Sequence, residues 1–338
     1  MVLSLDKIEK IAHLVIRVLH KRFETFPDNA SANRNAPFHE AFLNAFQDRL
    51  KEHVPDIPIL ISLASWLHGL NTTLGQTFFE KVSHILCDGE KKEYKDLWLS
   101  QQQQSAVTDI ITALKNGQQN PNLQRENTLI FCNNTQQNKQ VANFTVDCYY
   151  EDTHSIVAIE LKTVRPNSGV FKNEKDKMLS AKAGLKNKYP NKDIFYYLAF
   201  PFDPLSDRPT DSDKSRFMQH SVDFTTFIAP DEVLLADELW DFLSEDTGTM
   251  QQILDIINVI ATTDFQDKYN FLNEPLNRKD HWTKYLQQLN EWKLFSEIAW
   301  LDTVRQKQNQ SKTLIRKLNQ SLFDKEGDYQ DERLNCTE

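Results

Sequence analysis

Asp147, Glu160 and Lys162 are the residues in this sequence with the clearest capacity for chemistry. Glu160 and Lys162 are separated by one residue, so on a strand they share a face and stand about 6.6 Å apart. Two carboxylates held close together repel each other unless a hard divalent cation such as Mg²⁺ lies between them. A neighbouring lysine can orient or deprotonate a water molecule and offset charge on a phosphate. The three residues are therefore a minimal set for Mg²⁺-dependent phosphodiester hydrolysis, with Asp147 and Glu160 as metal ligands and Lys162 as the catalytic lysine.

A second interpretation fits the same spacing. Charged pairs are common across neighbouring strands, so the three side chains could form a solvated ion-pair patch on a half-exposed hairpin. The segment Ser155–Thr163 (SIVAIELKT) is apolar on both faces before it reaches Glu160. That pattern indicates a central, covered strand, in which a solvated patch is less expected.

A β-hairpin must position these residues. Ala142–Tyr150 (ANFTVDCYY) is rich in β-branched and aromatic residues and predicts the partner strand. With the turn centred on Asp152–Thr153, Asp147 is expected to face Ala158, and Glu160 to be its diagonal neighbour. All three charged side chains then lie on one face of the sheet.

The remaining segments predict an α/β core set among helices. Thr128–Cys132 and Phe224–Ala229 are expected to be further strands, and Asn133–Gln140 and Asp203–Ser221 polar loops. A strand is also expected at Ile194–Phe200. Helical periodicity predicts helices at Leu5–Phe23, His39–His53, Pro58–Leu70, Leu74–Leu86, Ser105–Lys115, Asn173–Tyr189 and after Pro230.

We expect one domain with a mixed sheet flanked by helices. Its core is predicted at 74–245, with an N-terminal helical region at 1–73 and a C-terminal helical region at 246–338.

The composition excludes several classes of protein. There are only 8 glycines, and neither GxGxxG nor GxxxxGK[ST] occurs, so Rossmann and P-loop folds lose their main support. The four cysteines form no CxxC pair, which argues against a zinc ribbon or a disulfide framework. The N-terminal apolar run carries charges and predicts an amphipathic helix rather than a signal peptide. We find no apolar run long enough for a membrane span and expect a cytoplasmic protein with no membrane partner.

A basic segment follows the ExK strand. Lys172–Lys192 holds seven lysines against two acidic residues, a net charge of +5 in a chain whose formal charge is −9. Such a segment suits an anionic polymer, whose phosphates supply much of the binding affinity. We favour DNA contact for Lys172 and Lys175. For the three lysines at the end of the segment, Lys186, Lys188 and Lys192, we favour a solvated helix face instead.

The order of elements and the spacing D…ExK resemble the PD-(D/E)xK nuclease superfamily over about Leu74–Phe200, with Val146 in place of the usual proline. The longer strings ELKTVRPNSGVFKNEKDKML and YYLAFPFDP resemble the TdeIII-type type II restriction endonucleases. This resemblance implies an Mg²⁺-dependent enzyme that cuts double-stranded DNA at a short specific site, such as GGNCC. It also implies a homodimer and a cognate DNA methyltransferase as genetic partner.

The resemblance directs attention to three further residues. Many members of the superfamily add a glutamate from the helix before the sheet, and Glu80 is the candidate here. Helical geometry places Glu80 roughly opposite the buried face of its helix, so a solvated glutamate fits equally well. Arg165 and Asn167, in the loop after ExK, are candidate readers of base edges. Turn chemistry for Asn167 and a phosphate contact for Arg165 are the alternatives.

Two other functions remain open on sequence alone. One is a non-catalytic DNA-binding or assembly protein that keeps this fold. The other is a repair nuclease that is indifferent to sequence.

Overall fold

The structure of the protein is a computed structural model that describes residues 2–27, 36–54, 56–132, 137–162, 170–306 and 311–334. The chain divides into two units. The first unit is built from Phe79–Gln252 and holds the sheets. The second joins Leu3–Phe78 to Ile253–Glu338. Both helical ends of the chain therefore belong to the same unit.

The N-terminal segment of the second unit begins with helix α1 (Leu5–Glu24). Ser4 caps this helix by accepting a hydrogen bond from the Lys7 backbone N–H at 3.3 Å, and one face buries Ile11 and Val15. The helices that follow are α2 (Pro37–Leu43), α3 (Gln47–Leu50) and α4 (Ile57–Thr73), with a 3-10 turn at Asn44–Phe46.

A five-stranded mixed sheet forms the centre of the first unit, and a two-stranded sheet accompanies it. The strands are β1 (Glu90–Tyr94), β2 (Trp98–Ser100), β3 (Gln137–Gln140), β4 (Phe144–Glu151), β5 (Ser155–Leu161), β6 (Asp193–Phe200) and β7 (Val233–Leu235). The larger sheet has the order β1-β4-β5-β6-β7. Its first three strands are antiparallel, whereas β6 and β7 run parallel to β5.

Helices of the first unit flank these strands. They are α5 (Glu80–Cys87), α6 (Gln101–Lys115), α7 (Leu123–Ile130), α8 (Val170–Lys188), α9 (Lys214–Gln219), α10 (Val222–Phe227) and α11 (Asp237–Ser244), with α12 (Thr249–Ile260) at the boundary of the two units. A π-helical segment, Leu74–Phe79, precedes α5, and a 3-10 turn, Pro230–Glu232, precedes β7. The connection β5–α8–β6 is the crossover that makes these two strands parallel.

The expected α/β class, a mixed sheet flanked by helices with helical extensions, is confirmed. The covered strand is confirmed as well, because Ile156 to Glu160 are all buried in β5.

Two predicted strands are wrong. Thr128–Cys132 lies mostly in α7, where Asn122 caps the first turn through the Arg125 backbone N–H at 2.8 Å. Phe224–Ala229 begins within α10, and the last strand is β7 instead. In both places burial of one helical face outweighs the β-propensity of a short apolar run. The expected loops also contain structure, since β3 lies within 133–140 and α9 within 203–221.

The hairpin register differs from the expected one by two residues. Tyr149, not Asp147, pairs with Ala158. Asp152 Oδ1 accepts hydrogen bonds from the backbone N–H groups of His154 and Ser155 at 2.6 and 2.7 Å. This side-chain turn moves the centre of the hairpin one residue towards the C-terminus. Because Cys148 pairs with Ile159, the next step of the register sets Asp147 opposite Glu160 rather than diagonal to it.

The C-terminal segment of the second unit is helical. Its helices are α13 (Phe265–Asn273), α14 (Asn277–Asp280), α15 (Trp282–Glu291), α16 (Phe295–Gln306) and α17 (Lys312–Leu318), followed by a 3-10 turn at Asp331–Arg333. A buried ion pair between Arg333 and Glu297, at 2.8 Å, fixes the last described turn to α16. Aromatic stacking joins the two ends of the chain within this unit, since His13 lies 4.2 Å from Tyr329 between ring centroids.

One helical run, Ile57–Cys87, is long and apolar enough to cross a membrane by length and composition alone. The run passes on its average hydropathy and includes polar residues such as His68 and Asn71, and the expectation of no membrane partner stays a prediction. A single run of this kind is a weak indication, because helices of proteins outside membranes pass the same test.

Candidate active site

Strand β5 is where the antiparallel part of the sheet meets the parallel part. Glu160 and Lys162 stand at the carboxyl end of this strand. Lys162 Nζ donates to Glu160 Oε1 at 2.9 Å, and its backbone N–H donates to Ala199 O at 2.8 Å. Glu160 is 9% exposed, so its charge is largely withdrawn from water. The carboxyl ends of parallel strands are where open α/β sheets place their ligands.

Asp147, on the neighbouring strand, is held from two sides. Its Oδ2 accepts a hydrogen bond from the Leu161 backbone N–H at 3.0 Å. The His84 Nε2 of α5 lies 2.7 Å from the backbone oxygen of Asp147. Burial and the nearby charge of Glu160 raise the pKa of the Asp147 carboxyl. The hairpin therefore brings together two carboxylates whose repulsion is only partly relieved.

Glu80 joins the same cluster through a lysine that sequence reasoning missed. Lys91 Nζ, on β1, lies 2.8 Å from Glu80 Oε2 and 3.7 Å from Asp147 Oδ1. The hydrogen bond to Glu80 raises the pKa of the Lys91 amine, and Asp147 adds to the effect. The Glu80 side chain is only 15% exposed, so the alternative of a solvated glutamate is wrong.

Helix α8 adds two further charges. Glu174 Oε1 accepts from Lys162 Nζ at 2.8 Å, and Lys177 Nζ donates to Glu160 Oε2 at 2.7 Å. Burial alone would lower the pKa of the Lys162 amine, but the attraction of Glu160 and Glu174 raises it. The candidate catalytic cluster, defined as Glu80, Lys91, Asp147, Glu160, Lys162, Glu174 and Lys177, thus holds four carboxylates and three ammonium groups, a net charge of −1.

This donor set fits Mg²⁺. Mg²⁺ takes one or two protein carboxylates and keeps several waters, so a pair such as Asp147 and Glu160 is sufficient. Within the described ranges no group of three or more histidine, cysteine, aspartate or glutamate side chains is arranged to hold a metal ion. The net negative charge of the cluster favours a bound cation.

Comparison with known proteins decides the family. The model of the family described as "Type II restriction endonuclease, HinfI" matches residues 3–261. The chain is also 39% identical to the type II restriction enzyme MjaII of Methanocaldococcus jannaschii, over 98% of this chain and 96% of that protein. No solved structure matches with statistical significance.

The chain belongs to the HinfI family of type II restriction endonucleases.

Membership of the HinfI family confirms the expected activity, a type II restriction endonuclease acting on double-stranded DNA. The comparisons match the HinfI family, and the resemblance to TdeIII-type enzymes stays a prediction. The interpretations as a non-catalytic assembly protein or a repair nuclease lose their support.

The four predicted DNA contacts of this HinfI-family chain have different outcomes. Lys172 is exposed on the first turns of α8. Arg165 and Asn167 lie outside the described residues. Lys175 is a correction: its side chain is fully buried and forms ion pairs with Glu126 and Glu232, so it cannot reach DNA.

Lys175 is part of a buried charge cluster that fixes α8. The cluster consists of Glu126, Lys175, Lys182 and Glu232, all at most 1% exposed. Its two positive and two negative charges cancel, as burial requires. Glu174 and Lys177 lie on other faces of the same helix. By fixing α8, the buried charge cluster therefore also fixes these two residues beside Glu160 and Lys162, in the candidate catalytic cluster.

A signal for Lys175 was available in the sequence. Phe171, Met178 and Leu179 mark the buried face of α8, and Lys175 lies four residues from the first and the last of these. Its helical position therefore indicated burial. The partners Glu126 and Glu232 are 49 and 57 residues away along the chain and carried no local signal.

Proposed function

We propose that this HinfI-family enzyme hydrolyses DNA in an Mg²⁺-dependent reaction at a PD-(D/E)xK site formed by Asp147, Glu160 and Lys162. The observation that carries the proposal is the pairing of two carboxylates from adjacent strands with a lysine 2.9 Å from one of them. The order of strands supports it, because the acidic residue lies on the second strand of the antiparallel part and ExK on the third.

Asp147 and Glu160 would supply the protein oxygens for the metal. When bound, Mg²⁺ would supply positive charge to the phosphate and lower the pKa of a water molecule. Lys162 donates to both Glu160 and Glu174, which fixes its ammonium beside these carboxylates. From there it can orient the attacking water and offset charge that develops on the phosphate. The products would be a 3′ hydroxyl and a 5′ phosphate.

Glu80 is proposed as a supporting member of the site. Its carboxylate holds Lys91, which lies between Glu80 and Asp147. If a metal ion took the place of Lys91 beside Asp147, the ion pair with Glu80 would keep the Lys91 ammonium nearby. Glu80 thereby positions charge around Asp147, and it can serve as a further oxygen donor if Lys91 moves.

A plasmid digest with and without Mg²⁺ tests the activity. Discrete bands that need Mg²⁺ and disappear with EDTA are expected. A smear would indicate a nuclease without sequence specificity, and intact plasmid at every metal concentration would contradict the proposal. Sequencing the ends of the fragments gives the recognition site.

Substitution of the lysine tests the site itself. Lys162→Ala should abolish cleavage while DNA binding in Ca²⁺ stays largely intact. The matched control is Lys188→Ala, an exposed lysine in the last turn of α8, which should cut like the wild type. Full activity of Lys162→Ala would contradict the assignment.

Three further properties complete the proposal. The enzyme would act as a homodimer, because both strands of a short symmetric site must be cut. A DNA methyltransferase of the same specificity would be its genetic partner and protect the host genome. Both would act in the cytoplasm, where that DNA lies.

A further inference from the structure

A cleft of about 540 Å³ opens on the first unit between α6, α8 and the chain that joins β3 to β4. Leu99, Val107 and Phe144 give it an apolar floor. Lys177 lines its wall and also binds Glu160 Oε2 at 2.7 Å. The cleft therefore begins directly beside the candidate catalytic cluster.

Three side-chain amides in this cleft have no hydrogen-bond partner among the residues that the structure describes. Gln104, Asn143 and Asn173 line the cleft, and none of the three side chains hydrogen-bonds to another residue in the described part of the chain. Gln140, at the same wall, differs because its Nε2 donates to Lys95 O at 2.9 Å. An amide offers a donor and an acceptor side by side, which is the pattern that base edges present in the DNA grooves.

The charge of the cleft is positive. Lys139, Lys172 and Lys177 line it against a single acidic residue, Asp176, a net charge of +2 in a chain of −9. Lys139 and Lys172 are exposed, and neither is paired with any described residue. Free lysines beside an anionic polymer supply affinity without reading its sequence.

Two walls of the cleft, α6 and α8, are joined by side-chain hydrogen bonds. Ser100 and Gln103 form a capping box at the start of α6. Gln103 and Asn187 exchange two amide hydrogen bonds of 2.9 and 2.8 Å, which join α6 to α8. Sites that discriminate between ligands need such support, because loosely held donors adapt to the wrong partner.

We propose that this cleft receives the edges of the DNA bases next to the scissile phosphate, with Asn143, Asn173 and Gln104 as specificity-determining residues. Lys172 binds a neighbouring phosphate of the same strand. The inference rests on the proposed function, and it adds the surface on which the recognition sequence is read.

Single substitutions at the amides test the inference. Binding in Ca²⁺ is measured by fluorescence anisotropy for the cognate duplex and for duplexes with one base pair changed. Asn143→Ala or Asn173→Ala should lose roughly 5- to 150-fold of the discrimination at one position of the site. Lys172→Ala should weaken binding to all duplexes equally and reduce the slope of log K against log salt by about 1.

The control is Gln118→Ala, an exposed amide in the turn after α6 and outside the cleft, which should keep wild-type discrimination. Wild-type discrimination in both asparagine variants would overturn the inference. So would a uniform loss of affinity for every duplex, because that result indicates backbone contact alone.

The inference and the proposed function fail separately. Absence of Mg²⁺-dependent cutting by the wild type refutes the proposed function before any cleft variant is made. If the wild type cuts and discriminates between duplexes but the asparagine variants do so equally well, only the role of the cleft is refuted.

Discussion

Lys162 Nζ donates a hydrogen bond to Glu174 Oε1 at 2.8 Å, which ties the end of β5 to the first turns of α8. The other oxygen of this carboxylate, Glu174 Oε2, is buried and has no hydrogen-bond partner among the described residues. The lysine proposed to be catalytic is thus oriented by a residue outside the D…ExK pattern. A buried acceptor without a donor costs folding free energy. Glu174 Oε2 is therefore placed to accept a hydrogen bond from a water molecule, including a metal-bound one.

The first prediction concerns this contact. Glu174→Gln keeps the shape of the side chain but weakens its hold on the Lys162 ammonium. We expect single-turnover cleavage to slow by roughly 10- to 100-fold, the range for residues that orient the functional groups of a metal site. DNA affinity in Ca²⁺ should change little. Glu151→Gln is the control, because Glu151 pairs with Lys192 at 2.8 Å on the far end of the same hairpin. Equal rates for the two variants would contradict a positioning role for Glu174.

Lys91 provides the second prediction. Its ammonium occupies space beside Asp147 that a metal ion would use. Lys91→Met removes a positive charge that competes with the cation, so less Mg²⁺ should be needed for half-maximal binding in a calorimetric titration. We expect a change of about 3- to 10-fold, equivalent to about 1 kcal/mol for a partly exposed charge. Weaker Mg²⁺ binding in this variant would show that Lys91 supports the metal site instead. Lys95→Met, which removes an exposed partner of Glu93, is the control.

The third prediction tests the buried charge cluster of α8. Lys175→Met leaves Glu126 and Glu232 with too few positive partners in the protein interior. Breaking a buried ion pair from one side costs about 3–5 kcal/mol of the free energy of unfolding. Lys192→Met, in a pair with Glu151, whose side chain is 40% exposed, should cost less than about 1 kcal/mol. Urea denaturation of the two variants compares these costs, and similar values would contradict the importance of the cluster.

Adding Glu126→Gln to Lys175→Met removes one charge of each sign. The double variant should therefore be more stable than the sum of the two single changes predicts.

The fourth prediction is a pH dependence of stability. Burial lowers the pKa of His13 from its usual 6.5 to about 4. The folded state therefore holds this histidine neutral, whereas the unfolded state binds a proton below about pH 6.5. The stabilisation is complete above pH 6.5 and is lost as the pH falls towards 4, by about 2–3 kcal/mol in total.

His13→Phe keeps a ring against Tyr329, which stacks on His13 at 4.2 Å, but has no proton to bind. The difference in unfolding free energy between wild type and variant should change with pH over this window and stay constant above it. The same difference at pH 5 and pH 8 would refute the assignment.

Local patterns were sufficient to predict the hairpin that carries the site. The alternation and apolar character of β4 and β5 place Asp147, Glu160 and Lys162 on one face of the sheet in both the expected register and the observed one, because the two differ by an even number of residues. The two-residue error in register came from a side-chain turn: the Asp152 carboxylate accepts from His154 and Ser155 and moves the centre of the turn. Such a bond competes with several turn types of similar energy, so sequence alone does not choose among them.

Residues that reach the site from a distance were not predictable in the same way. Lys91 lies on β1 (EKKEY), which has too little apolar character to be recognised as a strand. Lys177 lay within the lysine-rich segment, but nothing in that segment distinguishes it from lysines that face solvent. Its role depends on how α8 is rotated about its axis, and that rotation is set by distant partners of the buried charge cluster.

That cluster also limits how the enzyme could be re-engineered. A chimera that grafts α8 from a relative, in order to change the DNA sequence that is cut, would transplant Lys175 and Lys182 without their counter-ions on α7 and the turn before β7. Unless Glu126 and Glu232 are present in the recipient, the graft would carry two uncompensated charges into the interior. The transferable structural unit is therefore the helix together with two acidic residues far from it in sequence.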